Sequence, residues 1–341
     1  MFEIIRDKKK WGELLSEVDH YDIYHTYDYH HITKNDLDDP IMVKYTEDQK
    51  TIAIPFLLRK IAQTSYQDLT SVYGYPGPIS KNIDLHYDNT NFISEFKSFL
   101  SEQYIVSIFS RLNPFISYQN ICIKQFGQIS TLSKVVNIDL SLPLETQIQG
   151  YHKRLRTHVN KARRLCNIKL AETREEVLTY IDLYYRNMER VNAKKYYFFK
   201  EKYFFDLLNS SDFNTRILLA TDKESNTILG GAMFITTNNI VQYHLSGTDE
   251  DKLEYYPIKL LIDEMRIIAS QENSTFFNLG GGVGNKEDSL FHFKSGFYKD
   301  FKDFNLWKVI VNQRIYDQLT SEKSIDHETN YFPLYRSLDL N

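Results

Sequence analysis

Cysteine is almost missing from this chain: Cys122 and Cys166 are the two among 341 residues. They lie far apart, without the short spacing of a metal site or a redox pair, which suits a reducing compartment and excludes a disulfide scaffold. Neither is placed as a nucleophile. Long apolar runs are missing too. No stretch approaches the roughly 18 uninterrupted apolar residues of a membrane-spanning helix. The start, MFEIIRDKKKWGELL, lacks the apolar core and small-residue cleavage site of a signal peptide. The expected location is therefore the cytoplasm, with transient contact at a membrane surface left open for a lipid-linked substrate. A dominant sign of charge is also lacking: 41 basic against 45 acidic residues give −4, so a polyanion must be met by a local patch. His, Asp and Glu show no ligand spacing, and no metal or tightly bound cofactor is expected.

What the chain does have is length and aromatic rings. At 341 residues it exceeds what one core usually supports, so two domains are expected. The 25 Tyr and 22 Phe can fill those cores and also line sugar or base sites. A helix-like segment at 8–17 is followed by strand-like runs at 41–45 and 51–59 around the turn Glu47-Asp48-Gln49-Lys50, which reads as a hairpin. The same order returns later. Helical 177–190 and 200–208 precede strands 216–221 and 227–236, and each half then has a further strand, at 105–109 and 240–247. A helix at 257–269 opens on Pro257, as a first helical position allows. Mixed sheets with helices on their faces follow, an α/β or α+β class.

Three stretches carry candidate chemistry. In NLGGGVGNKEDSLFHFKSGFYKD, glycines including Gly280 and Gly281 permit a turn whose backbone can approach a ligand, and Lys294 sits between Phe293 and Phe297. That is a cation in an apolar collar, suited to a developing negative charge; the plain alternative is a surface lysine beside two core rings. In YHKRLRTHVNKARRLC, Leu155, Val159, Ala162 and Cys166 mark one helical face and the rest is basic. Lys153, Arg156 and Arg163 are the expected phosphate contacts, unless this face is ion-paired to Glu145 or to the acidic run 172–176. On the strand VQYHLSG, alternation places Gln242, His244 and Ser246 on one face and Val241, Tyr243 and Leu245 on the other; His244 is a pocket candidate or a satisfied structural group.

Seven segments, in their order and spacing, resemble the Fem-type (FemABX-like) peptidyltransferases and aminoacyltransferases, which elongate cell-wall precursors. They are Leu57-Leu58-Arg59, Tyr73-Gly74-Tyr75-Pro76-Gly77-Pro78, Arg111-Leu112-Asn113-Pro114-Phe115, Leu142-Pro143, Asn187-Met188-Glu189-Arg190, Gly230-Gly231-Ala232 and the lysine motif itself. The resemblance implies two tandem GNAT-like (acyl-CoA N-acyltransferase-like) domains with mixed sheets flanked by helices. These would be 1–141, completed by part of 306–341, then a basic inter-domain helix at 142–166, and 167–305. It implies Lys294 as the catalytic oxyanion stabiliser. It also implies substrate contacts from Arg190 and Tyr197 toward the acceptor, from Tyr75 and Arg111 in the first half, and from Phe293, Tyr243, His244, Gly280 and Gly281 in the second.

The implied reaction moves an aminoacyl group from aminoacyl-tRNA, a co-substrate, to an amine of a peptidoglycan or surface-glycan precursor linked to a nucleotide or lipid. Glu287, Asp288, His244 and His292 are all near, and none is singled out as a general base. Two alternatives stand beside this: an acyl-CoA-dependent N-acyltransferase acting on an amino sugar or peptide, and a binding module that kept the fold and lost the chemistry. The acidic run TDEDKLEYYP, where a CoA site would have a glycine loop, weighs against CoA. The chain also departs from the better-known wall enzymes, with His25 and Tyr29 where they often have Gln and Trp, and Lys34 at a different offset.

Overall fold

The computed structural model describes residues 1–321 and 331–340. Among them thirteen strands form: β1 (Phe2–Ile5), β2 (Asp39–Glu47), β3 (Lys50–Lys60), β4 (Gln67–Thr70), β5 (Ile79–Lys81), β6 (Ile105–Arg111), β7 (Gln128–Asp139), β8 (Cys166–Leu170), β9 (Asn214–Asp222), β10 (Ile228–Thr237), β11 (Ile240–Thr248), β12 (Phe276–Gly280) and β13 (Asp300–Ile310). They belong to two compact units, Met1–Leu132 with the described residues from Asp303 onward, and Ser133–Lys302. The division falls after Leu132, where 141 was expected, because residues 136–139 of β7 pair with β12 of the second unit.

In the first unit, β2 and β3 make the hairpin, with β1 antiparallel on β2, and β4 and the short β5 antiparallel on β3. β4 pairs in parallel with β6, and β6 antiparallel with β13. A parallel pair needs a crossover, and here it includes the helix Thr90–Glu102. Phe92, Ile93, Phe96 and Leu100 recur at helical spacing and pack with Ile41, Phe56, Ile108 and Trp307 in one core.

The second unit repeats that order. β8 flanks β9, β9 and β10 form the hairpin, β11 is antiparallel to β10 and parallel to β12, and β7 closes on β12. Its crossover is the helix Pro257–Gln271, with Leu260, Leu261, Met265 and Ala269 buried. Paired helices precede each hairpin: Lys8–Glu17 and Tyr27–Thr33 in one unit, Arg174–Arg190 and Glu201–Leu208 in the other. The longer helix starts on a capping box, in which Thr173 accepts from the Glu176 amide and Glu176 reaches back to the cap.

The basic helix runs Lys153–Leu165 and packs inside the second unit's core through Leu155, Val159 and Ala162. Asp263, 2% exposed, fixes it there. Its carboxylate accepts from Tyr151 Oη at 2.8 Å, from Arg266 Nη2 at 2.9 Å and from Arg163 Nη2 at 2.6 Å, and Arg266 also donates to Gln147 at 2.9 Å. The first unit has a counterpart. Asp68, fully buried, accepts from Arg59 at 2.7 Å, from Arg336 Nε at 3.0 Å and from Tyr335 Oη at 3.1 Å, which ties the late segment into this unit. No helix of the described residues is long and apolar enough to cross a membrane.

Removing one partner from such a pair leaves a buried charge uncompensated. Asp263→Ala should destabilise by about 3–5 kcal/mol in urea unfolding, while Glu264→Ala, whose carboxylate is more exposed at 26%, should cost far less. Equal losses would remove Asp263 from this role.

Candidate active site

β11 and β12 run side by side only from Ile240 to Gln242 and from Phe276 to Asn278. Past that point they no longer pair, and the space at the carboxyl ends of such strands is where α/β sheets place ligands. Both strands carry an extra residue just there, His244 opposite β10 and Leu279 opposite β7. Buried Asn278 holds the base of the fork. Its amide donates to Gln242 Oε1 at 2.8 Å, and its oxygen accepts from the Gly280 amide at 2.8 Å. Gly280 takes φ +78°, and a Cβ there would stand 3.2 Å from Lys294 Nζ, so this position suits glycine on two counts.

The turn ends at Asp288, which accepts from the amides of Val283 and Phe291 at 3.2 and 3.0 Å and so caps the helix Ser289–Ser295. That helix delivers Lys294, 8% exposed, with Nζ donating to Gly281 O at 2.8 Å and lying 5.9 Å from the centre of the Tyr243 ring. Burial pulls its pKa down to about 8, against the opposing field of Asp288. The ammonium's neighbours are thus a carbonyl and a tyrosine face, where the sequence suggested Phe293 and Phe297. Those two are four residues apart, share a helix face, and meet edge to face at 5.8 Å.

The bulge at His244 also overturns the simple alternation on β11. Tyr243 and Ser246, expected on opposite faces, share a hydrogen bond between their hydroxyls. The Tyr243 hydroxyl is pushed up to about 12 by burial. His244 is satisfied by Tyr203 Oη at 2.7 Å, and burial lowers it to about 4, so the ring is neutral at ordinary pH. Arg190 ends the helix Arg174–Arg190, donating to Asn187 Oδ1 at 2.7 Å, and Tyr197 follows in the turn, its carbonyl accepting from Tyr184 Oη at 2.6 Å. Tyr75 and Arg111 belong to the first unit, in the loop after β4 and at the end of β6.

On the basic helix, Lys153 and Arg156 are exposed, but Arg163 is not available to a phosphate. Its guanidinium is held by Asp263 and, at 2.9 Å, by Glu264. Neither acid was among the partners suggested by the sequence, because both come from the crossover helix a hundred residues on. The stripe Arg154, His158 and Lys161 meets Lys259 instead. His158 stacks on Tyr256 at 3.8 Å, Lys259 Nζ lies 2.7 Å from His158 Nδ1, and Lys161 and Lys259 stand 5.4 and 4.8 Å from the Tyr256 ring centre. Burial, then Lys259, Arg154 and Lys161, lower the His158 pKa; burial, then Arg154, lower that of Lys259. Such crowding is relieved by an anion. The i, i+4, i+7 spacing of the stripe was visible in the sequence, whereas its meeting with Lys259 was not.

Residues 214–304 match the FemAB family. The fold over the chain is similar to that of FemX, with a TM-score of 0.70 at 12% identity, covering 93% of this chain and 99% of that one. A conserved protein of unknown function from Bacteroides thetaiotaomicron VPI-5482 gives 0.59 at 10% identity over 91% and 100% of the two chains. The C-terminal domain of a putative lysylphosphatidylglycerol synthetase from Agrobacterium fabrum gives 0.54 at 12% over 91% and 93%. No curated protein matches in sequence. The Fem-type resemblance holds over the matched residues, and the mixed α/β fold that it implied holds over the chain.

Between about pH 8 and pH 10.5 the folded chain has released the Lys294 proton and the unfolded chain has kept it, so stability rises with pH across that window. Relative to Lys294→Met, the wild type should gain about 3 kcal/mol over it, read from urea unfolding at each pH. A constant difference would mean that Lys294 is ordinarily hydrated.

Proposed function

We propose that this Fem-type chain is an aminoacyltransferase. An amine of a cell-envelope precursor, of peptidoglycan or surface glycan, attacks the ester carbon of an aminoacyl-tRNA. The C–N bond forms, the ester C–O bond breaks, and the tRNA hydroxyl leaves carrying the proton. Lys294 carries this reading: it is a buried ammonium at the mouth of the β11–β12 fork, bonded only to a neutral carbonyl among the described residues. A substrate oxygen that gains negative charge competes well with a carbonyl for such a donor. At neutral pH a group with a pKa of about 8 is mostly cationic, as that role needs. The ester is reactive enough that alignment and charge stabilisation suffice, and no side chain is assigned as base. The buried placement of Lys294 also favours an enzyme over a module that has lost its chemistry.

The donor's phosphates are assigned to Arg154, His158, Lys161 and Lys259 around Tyr256, with Lys153 and Arg156 flanking. The name of one structural relative, a putative lysylphosphatidylglycerol synthetase, joins an aminoacyl group to a lipid, in keeping with a lipid-linked acceptor met at the membrane surface. The cytoplasm, where charged tRNA is made, is the proposed location. A second reading, an acyl-CoA-dependent N-acyltransferase, draws on the same cations, since they stand at the start of the crossover helix and fit a pyrophosphate as well.

Calorimetric titration with charged tRNAs, acetyl-CoA and CoA separates the two donors: binding of tRNA without CoA supports the first, and CoA binding moves the protein to the second. Lys294→Ala should keep donor binding and lose about 100- to 1,000-fold in turnover; wild-type turnover would sink its role. Arg154→Ala with Lys161→Ala should flatten the salt dependence of tRNA binding by roughly two phosphate contacts, and an unchanged slope would return the cluster to a structural part.

A further inference from the structure

The first unit carries a cavity at the amino end of β6, away from the carboxyl ends where sheets of this class place their ligands. It measures about 410 Å³, within the range of small-molecule sites, and all of its walls come from this one unit. Ile105, the first residue of β6, and Ile310, the last of β13, line it from the strands. The end of the helix Thr90–Glu102 contributes Lys97 and Ser101, four residues apart and so on one face, and Tyr66 enters just ahead of β4.

Tyr104 is the residue here that ordinary helix chemistry does not explain. It follows the cap Gln103 of that helix in the left-handed conformation, at φ +54°. Glycine or asparagine is the usual choice at such a position, because a Cβ is strained there. The backbone is held on both sides: the Tyr104 amide donates to Ser101 O at 3.0 Å, and Tyr104 O accepts from the Gln67 amide at 3.1 Å. Gln67 Nε2 also donates to Gln103 O at 3.3 Å. None of these bonds uses the ring. That ring is 57% exposed and stands edge-on to Tyr66 at 6.2 Å beside the cavity. A strained backbone and an exposed ring thus coincide at one position, and neither the helix end nor the core accounts for the ring.

The polar groups around it are unused. Lys169 and Lys202 each pair with an acid of their own neighbourhood, but Lys97 holds no carboxylate among the described residues, and its Nζ lies 5.8 Å from the centre of the Phe126 ring. Ser101 Oγ and the hydroxyls of Tyr66 and Tyr104 have no hydrogen-bond partner among the described residues either. Asn312 accepts from the Ile315 amide at 3.1 Å through Oδ1, which leaves its Nδ2 for a ligand. Aromatic faces, one ammonium and several small donors suit a ring that carries a negative charge: the ring stacks and the charge meets the ammonium.

We propose that this cavity binds a phosphorylated ring compound, a nucleotide or a sugar phosphate, with the ring on Tyr104 and the phosphate at Lys97. The site takes nothing from the transferase reading and stands without it. Calorimetry with adenosine 5′-monophosphate, glucose 6-phosphate and inorganic phosphate tests it. One of the two ring compounds should bind saturably, the tighter one identifying the source, and inorganic phosphate should bind far more weakly. Tyr104→Gly relieves the left-handed backbone, so it should not lower the urea midpoint and yet should weaken binding by about tenfold, the worth of one stacked ring. Lys97→Met should weaken binding and flatten its salt dependence, and Lys97→Arg should retain both. Lys294→Met, Arg111→Leu and the Arg154→Ala, Lys161→Ala pair should bind as wild type. If Tyr104→Gly fails to fold by circular dichroism, the exposed Lys97→Met must still weaken binding. The proposal is overturned if neither ring compound saturates at millimolar concentration, if inorganic phosphate binds as tightly, if the Tyr104 and Lys97 variants bind as wild type, or if binding is lost in the Arg154, Lys161 variant instead.

Discussion

A carboxylate cannot be buried alone, and much of the second unit follows from how Asp263 meets that requirement. At 2% exposure it is held by Arg266 from its own helix, by Arg163 from the basic helix, and by Tyr151 just before that helix. Three separate positions in the sequence are thereby fixed to one point. Once Arg163 is turned toward Asp263, the stripe Arg154, His158 and Lys161 is turned toward Tyr256 and Lys259. A structural ion pair thus decides which basic side chains remain for a ligand. Asp68 acts in the same way in the first unit, binding Tyr335 and Arg336 of the late segment to β4.

Local pattern made much of this fold readable. The runs at 41–45 and 51–59 are the centres of β2 and β3, and the second hairpin and the helix starting at Pro257 were visible for the same reason, since turn chemistry and periodicity act over a few residues. β7 was not visible. Its first half, Gln128-Ile129-Ser130-Thr131-Leu132-Ser133, is mostly polar and exposed, and apolar burial begins only at Val135. In the site, Lys294 and its glycine turn could be found by motif. The neighbours of that lysine could not, because Tyr243 comes from a strand some fifty residues earlier and reaches it through a bulge. Arg163 failed as a phosphate contact for a related reason: the charge that claims it is remote in sequence.

The two units apply one plan with different cations. Lysine at a fork can shed its proton, and Lys294 is buried enough to sit near that threshold. Arginine stays charged in practice, and Arg111, the last residue of β6, lies against the Phe109 ring.

The extra residue at His244 makes β11 a strand whose meaning depends on a count. Side chains alternate with period two, and because His244 is the extra residue, Tyr243 and Ser246 share a face although they are three positions apart; the same residues in a regular strand without the bulge would stand on opposite faces. The hydroxyl pair between Tyr243 and Ser246 would be broken without either residue being changed. When relatives of this chain are aligned, a gap of one position at His244 is therefore compatible with the same shared face, whereas identical letters in a strand without the bulge are not.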